Sequence, residues 1–265
     1  MKLTIISINY NNRDGLKRTI ESIIGQSRRD FEYIIIDGGS TDGSVDIIKQ
    51  YADKIDYWVS EPDKGIYNAM NKGIAKASGE YLNFMNSGDC LYDGAVIAKV
   101  MPLLEDKDIY VGDIANDHSG HLDVVEFPRS PSPQIVLNQI VFRLIPHQAS
   151  FIKKELFNMY GPYREDLRIA SDWYFFYNAI VMHGASVETI PESIAIFDTT
   201  GISSTDPRRI DERISSQDYI PCQRHLYCFY RDNAEIVTAL KSTSVGRMLM
   251  RIYFLIYRVL TAKKL

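Results

Sequence analysis

Apolar residues recur along the first hundred positions in two alternating rhythms. Short β-branched or aromatic runs at residues 4–10, 31–37, 55–60 and 81–85 read as buried strands. Between them lie stretches of helical period. Leu16, Ile20, Ile23 and Ile24 recur on one face, with Asp14 as the expected N-cap and Gly25 as the stop. Helices are likewise predicted at 44–51 and 67–77, the latter with Met70, Ile74 and Ala77 on one face. Strand alternating with helix predicts a Rossmann-like, mostly parallel sheet in an α/β fold.

The rhythm continues through a helix at 95–104 and a strand at 108–113. A hairpin tip at 118–121 and a returning strand at 124–127 follow. Three prolines within residues 128–133 then end the alternation. Beyond them the pattern predicts a loop and strand at 145–151 and helices at 153–160 and 173–183. Ser171 or Asp172 opens the second of these helices. Short strands at 186–190 and 194–197 precede a loop at 199–204, and the remainder reads as a helical extension.

The central predicted strand, 81–85, runs straight into Asn86-Ser87-Gly88-Asp89. An open α/β sheet holds its ligand at the carboxyl ends of its strands. Asp89 is therefore placed to hold Mn²⁺ or Mg²⁺ against phosphate oxygens, since hard cations favour carboxylate and water. Taken alone, it also reads as an Asx-turn. Asp37 ends another strand ahead of Gly38-Gly39, which favours a ligand role over a simple cap.

Composition narrows the class without changing this picture. A chain of 265 residues fits one large α/β domain with an appendage. Thirty basic and 34 acidic residues leave a net charge of −4, which makes no case for nucleic-acid binding. Three cysteines suggest no disulfide framework and fit a reducing cytoplasm. The N-terminal residues lack the apolar region and cleavage site of a signal peptide. Cys222, His225 and Cys228 invite a zinc reading but lack a clear fourth ligand.

Four motifs stand in an order that resembles glycosyltransferase family 2. They are Ser7-Ile8-Asn9-Tyr10-Asn11, Ile36-Asp37-Gly38-Gly39-Ser40-Thr41-Asp42-Gly43, Asp63-Lys64-Gly65-Ile66-Tyr67-Asn68-Ala69-Met70-Asn71-Lys72-Gly73, and Gly79-Glu80-Tyr81 through Asp89. The resemblance covers roughly residues 3 to 205 and is nearest the bacterial branch that builds lipopolysaccharide, capsule and exopolysaccharide. It implies the GT-A fold at 1–205, with a nucleotide-binding half at 1–115 and an acceptor-side half at 116–205. It also implies inverting transfer from a nucleotide sugar, UDP-linked for choice, to a glycan or polyprenyl-linked acceptor.

Donor contacts implied by the resemblance fall on Ser7, Asn9, Asp37, Asp63, Asn86, Ser87, Gly88, Asp89 and His147. Asp37 resembles the acid that meets the uracil ring, and Asp63 a second nucleotide-binding acid. Asn86 to Asp89 resembles the metal motif, although Asp89 is its one carboxylate. Asp172 resembles the catalytic base, with an N-cap as the alternative. His147-Gln148 resembles a polar pair between metal motif and base, with a structural role for His147 held equally open. Helix-surface polarity explains Tyr67, Asn68 and Asn71 as well as a nucleotide contact does. Two rival functions use similar residues: a nucleotide-sugar hydrolase or pyrophosphorylase, and a degenerate GT-A module that only binds carbohydrate. Against the former, no basic glycine-rich phosphate loop follows the first strand.

Residues 206–265 are expected to be helical. From Ile236 onward there are six basic residues and no acid. Arg247, Arg251 and Arg258 share one face, opposite Leu249, Ile252, Ile256 and Leu260. Such a helix suits the cytoplasmic surface of an anionic membrane. The alternative is a core-packing or homodimer helix.

Overall fold

Strand β1 (Leu3–Asn9) is buried at all seven positions, as a parallel strand covered on both faces must be. It pairs in parallel with β2 (Glu32–Asp37) on one side and β4 (Tyr81–Phe84) on the other, and β3 (Tyr57–Ser60) extends the sheet beyond β2. These four strands share one direction, so their carboxyl ends lie along one edge. The computed structural model describes residues 1–118, 120–129, 145–201 and 206, all within the unit Met1–Arg213. The basic tail, the Cys222-His225-Cys228 group and residues 202–204 of the loop at 199–204 lie outside the described residues.

The sheet continues through β5 (Cys90–Leu91), β6 (Ile109–His118), β7 (His121–Val125), β8 (Ser150–Lys153) and β9 (Val187–Asp198). Its order is β3-β2-β1-β4-β8-β6-β9-β5, with β7 paired to β6. Antiparallel β8 sits between β4 and β6, while β9 runs parallel to β6. The sheet is mixed but mostly parallel, as predicted.

Helix α1 (Arg13–Ile24) buries Leu16, Thr19, Ile20 and Ile23. Its cap is Asn12, whose Oδ1 accepts from the Gly15 N–H, and Asp14 instead lies in the first turn. Helix α2 (Ser44–Gln50) buries Ile47 and Ile48. Helix α3 (Ile66–Lys76) crosses β1 so closely that a Cβ on Gly73 would meet Ile6 Cγ2 at 2.5 Å.

Four predicted boundaries shift for identifiable reasons. The helix expected at 95–104 is α4 (Val96–Val100) followed by a 3₁₀ turn at Met101–Leu103, where Pro102 lacks an N–H. The strand at 108–113 runs on to His118 because β7 pairs with it, and β7 begins at His121. The two short strands at 186–190 and 194–197 are the single strand β9. A register irregularity falls opposite Pro191, which has no N–H for the ladder. The helix at 173–183 is an α-helical turn and a half, Ser171–Phe176, followed by π-helix at Tyr177–Met182.

Helix α5 (Lys154–Tyr160) and that last helix, α6 (Ser171–Phe176), lie against the sheet through stacked rings. Phe157 and Phe175 stack at 4.2 Å between centroids, with Tyr163 edge-on to both and to Phe84 of β4. This apolar wedge holds the start of α6 over the edge where the parallel strands end.

Candidate active site

Over that edge opens a cavity of about 850 Å³, within the range of small-molecule sites. Seven of the ten expected catalytic and donor-binding residues line it: Asn9, Asp63, Asn86, Ser87, Asp89, His147 and Asp172. Ser7, Asp37 and Gly88 do not. Alternation along β1 turns Ser7 into the core, where its hydroxyl lies 3.2 Å from the Tyr33 hydroxyl.

Asp37 has no accessible surface. Its carboxylate accepts from Asn9 Nδ2, Ser40 Oγ, Ser60 Oγ and the N–H groups of Gly39 and Ser40, at 2.6–3.2 Å. Burial alone would raise its pKa, but these donors hold it below the ordinary carboxylate value. Asp37 thus ties the loop at 38–44 to the ends of β1 and β2. Asp37 itself does not line the cavity. Asp63 is the acid on this side that does face the cavity, and its Oδ1 caps the Gly65 N–H at 2.8 Å.

The turn after β4 is held from α1. The Thr19 hydroxyl accepts from the Gly88 N–H at 3.0 Å and lies 2.7 Å from Asp89 O. Gly88 adopts φ +108°, and a Cβ there would meet Asp198 Oδ2 at 2.8 Å. Glycine is therefore required on both counts. Asp89 is 4 % exposed. Its Oδ1 accepts from the Asp198 N–H at 2.9 Å and its Oδ2 from Gln148 Nε2 at 3.1 Å. Burial pushes its pKa up to about 6, against partial compensation from these donors and His147.

Asp172 is also buried, at the first turn of α6. Its Oδ2 lies 3.0 Å from His147 Nδ1, while its Oδ1 accepts from the Trp173 N–H at 2.8 Å and lies 3.0 Å from the Tyr67 hydroxyl. Burial opposes the charge, but the His147 ring, the Trp173 N–H and Tyr67 hold the carboxyl below its ordinary value. A carboxylate offers about four lone-pair sites. Three are taken, which leaves room on Oδ2 for one more donor. On its far side the His147 ring meets Asn86, Nε2 to Nδ2, at 3.2 Å.

A divalent cation fits this corner. Asp89 is a buried carboxylate whose charge a cation would stabilise. Beside it, Asn86 Oδ1 is buried with no partner. No cluster of three acidic, histidine or cysteine ligands occurs among the described residues. Hard cations commonly complete their shell with water and substrate phosphates.

Several site residues carried no sequence signal. Asp198, 109 positions from Asp89, reaches it only because β9 pairs with β5. Glu165 accepts from both Asn68 and Asn71 of α3, at 2.9 and 3.0 Å, so those two asparagines fasten the segment before α6. Tyr67, readable beforehand as surface polarity, is buried and meets Asp172 directly.

A mostly parallel sheet with acids gathered at its carboxyl edge is the arrangement of a GT-A glycosyltransferase. Solved structures share that fold: S. aureus TarS 1–349 in complex with UDP has a TM-score of 0.62 at 19% identity, over 75% of this chain and 60% of that one. The mannosyltransferase PcManGT from Pyrobaculum calidifontis, in complex with GDP-Man and Mn²⁺, has a TM-score of 0.63 at 16% identity, over 98% and 83%. Residues 4–154 match Glycosyl transferase family 2, and the chain belongs to that family. An uncharacterized glycosyltransferase of Mycobacterium tuberculosis is 36% identical over 76% of this chain and 77% of its own length. A PGL/p-HBAD biosynthesis glycosyltransferase of Mycobacterium bovis is 32% identical over 65% and 67%. The chain is accordingly a glycosyltransferase, with relatives in glycolipid and polysaccharide biosynthesis.

Proposed function

We propose that this enzyme moves a sugar from a nucleotide-sugar donor, UDP-linked for choice, to a hydroxyl of a glycan or lipid-linked acceptor, with inversion. The observation that supports it best is the pairing of two buried acids in one cavity. Asp89 stands at a strand end and Asp172 at a helix start, with His147-Gln148 touching both. Asp63 and Asn9 line the nucleotide side.

In this reading Asp89, with Asn86 Oδ1, would hold Mn²⁺ or Mg²⁺. Bound there, the ion would supply positive charge to stabilise a departing diphosphate. Asp172 Oδ2 takes the acceptor hydroxyl proton, a step that contributes about 10²–10⁴ in rate. The acceptor oxygen bonds to the anomeric carbon as the bond to the diphosphate breaks, and the nucleoside diphosphate leaves with that electron pair. Nucleotide-binding and acceptor-side halves at 1–115 and 116–205 follow from this assignment. No helix among the described residues is long and apolar enough to cross a membrane. Access to a lipid-linked acceptor at the cytoplasmic membrane surface is assigned to the basic tail.

Two readouts test the proposal. The melting temperature should rise with UDP or a UDP-sugar plus Mn²⁺, by mass action on the native state. UDP release should depend on an acceptor, and the new linkage should have the opposite anomeric configuration to the donor. Donor breakdown at the same rate without any acceptor would favour a hydrolase. Retained configuration would overturn the single displacement.

A further inference from the structure

Immediately before β8 the chain makes a 3₁₀ turn, His147–Ala149. Its two leading side chains point to different acids. His147 Nδ1 lies 3.0 Å from Asp172 Oδ2, and Gln148 Nε2 donates to Asp89 Oδ2 at 3.1 Å. Both side chains line the cavity. The turn is itself pinned. β4 and β8 pair only at Tyr81–Lys153 and Leu82–Ile152. One residue further on, the amide of Asn83 replaces the ladder and donates to Gln148 O at 2.9 Å and Ser150 O at 3.0 Å. The Ser150 hydroxyl closes the turn on Pro146 O at 2.7 Å. Asn83 is fully buried in the central strand, an expensive place for an amide without such a task.

Resting on the function proposed above, we infer that the His147-Gln148 turn is a two-pronged positioning element. His147 orients the base, Gln148 orients the leaving-group carboxylate, and Asn83 sets the height of both. Neither prong touches the reacting atoms. Each holds one lone pair of a carboxylate that lines the cavity. Because both prongs leave one short turn, the separation of base and leaving-group acid is set by two adjacent residues. Outer contacts of this kind, when removed, reduce metal affinity or activity by about 10–100-fold.

The two prongs predict opposite defects. In His147→Ala, turnover of UDP-N-acetylglucosamine or GDP-mannose, whichever is accepted, should fall about 10–100-fold. Calorimetric binding of UDP or GDP with Mn²⁺ should fall much less than turnover does. His147→Asn keeps an N–H near the position of Nδ1 and should recover most of the turnover. In Gln148→Ala, Mn²⁺-dependent nucleotide binding should weaken about 10–100-fold, and the loss of turnover should shrink as Mn²⁺ is raised. If both alanine variants lose binding and turnover together, in step with a lower melting temperature, the turn is only a structural support and the proposal is overturned. Failure of His147→Asn to recover more turnover than His147→Ala would also overturn the role of His147. A wild-type protein that binds neither nucleotide with Mn²⁺ would refute the donor reading itself. Wild-type binding with indistinguishable variants would refute this inference alone.

Discussion

Asp89→Asn is expected to separate stability from function. Burial pushes the Asp89 carboxyl up to about 6 in the folded protein, against 3.8 for an ordinary aspartate. A folded-state pKa above the unfolded one means the native protein binds that proton more tightly. The resulting stability is fully present below about pH 4 and is lost as pH rises through 6. Two pKa units correspond to about 3 kcal/mol, an upper bound on what ionising Asp89 takes from the empty protein at pH 8. Asparagine fills the same volume, still accepts from the Asp198 N–H, and can pair with Gln148 once the glutamine amide turns over. It carries no charge to desolvate. The difference in melting temperature between Asp89→Asn and wild type should therefore be near zero at pH 4 and positive at pH 8. For a unit of this size each kcal/mol is worth about 2–4 °C, so a gain of several degrees is expected. The assay is a thermal melt of both proteins across pH 4–8 in excess chelator, where effects of other acids cancel in the difference. Adding Mn²⁺ with UDP should raise the wild type and leave the variant unmoved. A pH-independent difference between the two proteins would refute the argument from burial.

Three further outcomes are expected. Asp172→Asn keeps an oxygen for the Trp173 N–H and the Tyr67 hydroxyl but turns an NH2 group toward His147 and cannot take a proton. Sugar transfer should fall about 10²-fold or more while nucleotide binding persists, and wild-type turnover would move the base elsewhere. Asp37→Ala strips the acceptor from buried donors on Asn9, Ser40 and Ser60, at about 1–3 kcal/mol for each group left unpaired. A lower melting temperature and weaker UDP binding should appear together, and unchanged stability would show that water replaces the carboxylate. Truncation after Ile236 should leave a protein that binds nucleotide but no longer co-sediments with anionic vesicles. Equal sedimentation of full-length and truncated chains would refute the membrane role of the tail.

Local pattern was enough to place every strand and α-helix of the first 85 residues to within about three positions. There a strand's burial on both faces and a helix's apolar stripe are written into adjacent residues. The strand-end motifs were legible for the same reason, since a parallel sheet sends the carboxyl ends of β1, β2 and β4 to one edge wherever the strands themselves are recognised. Pattern failed where a partner distant in the chain decides the outcome. β9 is one strand across Pro191 because β6 runs beside it, and Cys90–Leu91 is a strand only because β9 passes. The same limit governs the roles of individual acids. Asp37 and Asp89 both follow buried strands, yet five donors close around one while two leave the other facing the cavity. Tyr67 is 105 residues from Asp172, and Asp198 is 109 from Asp89. Spacing along a chain encodes which side chains share a face. Which carboxylate keeps a free lone pair depends on donors brought from elsewhere in the chain, and only the packed sheet decides that.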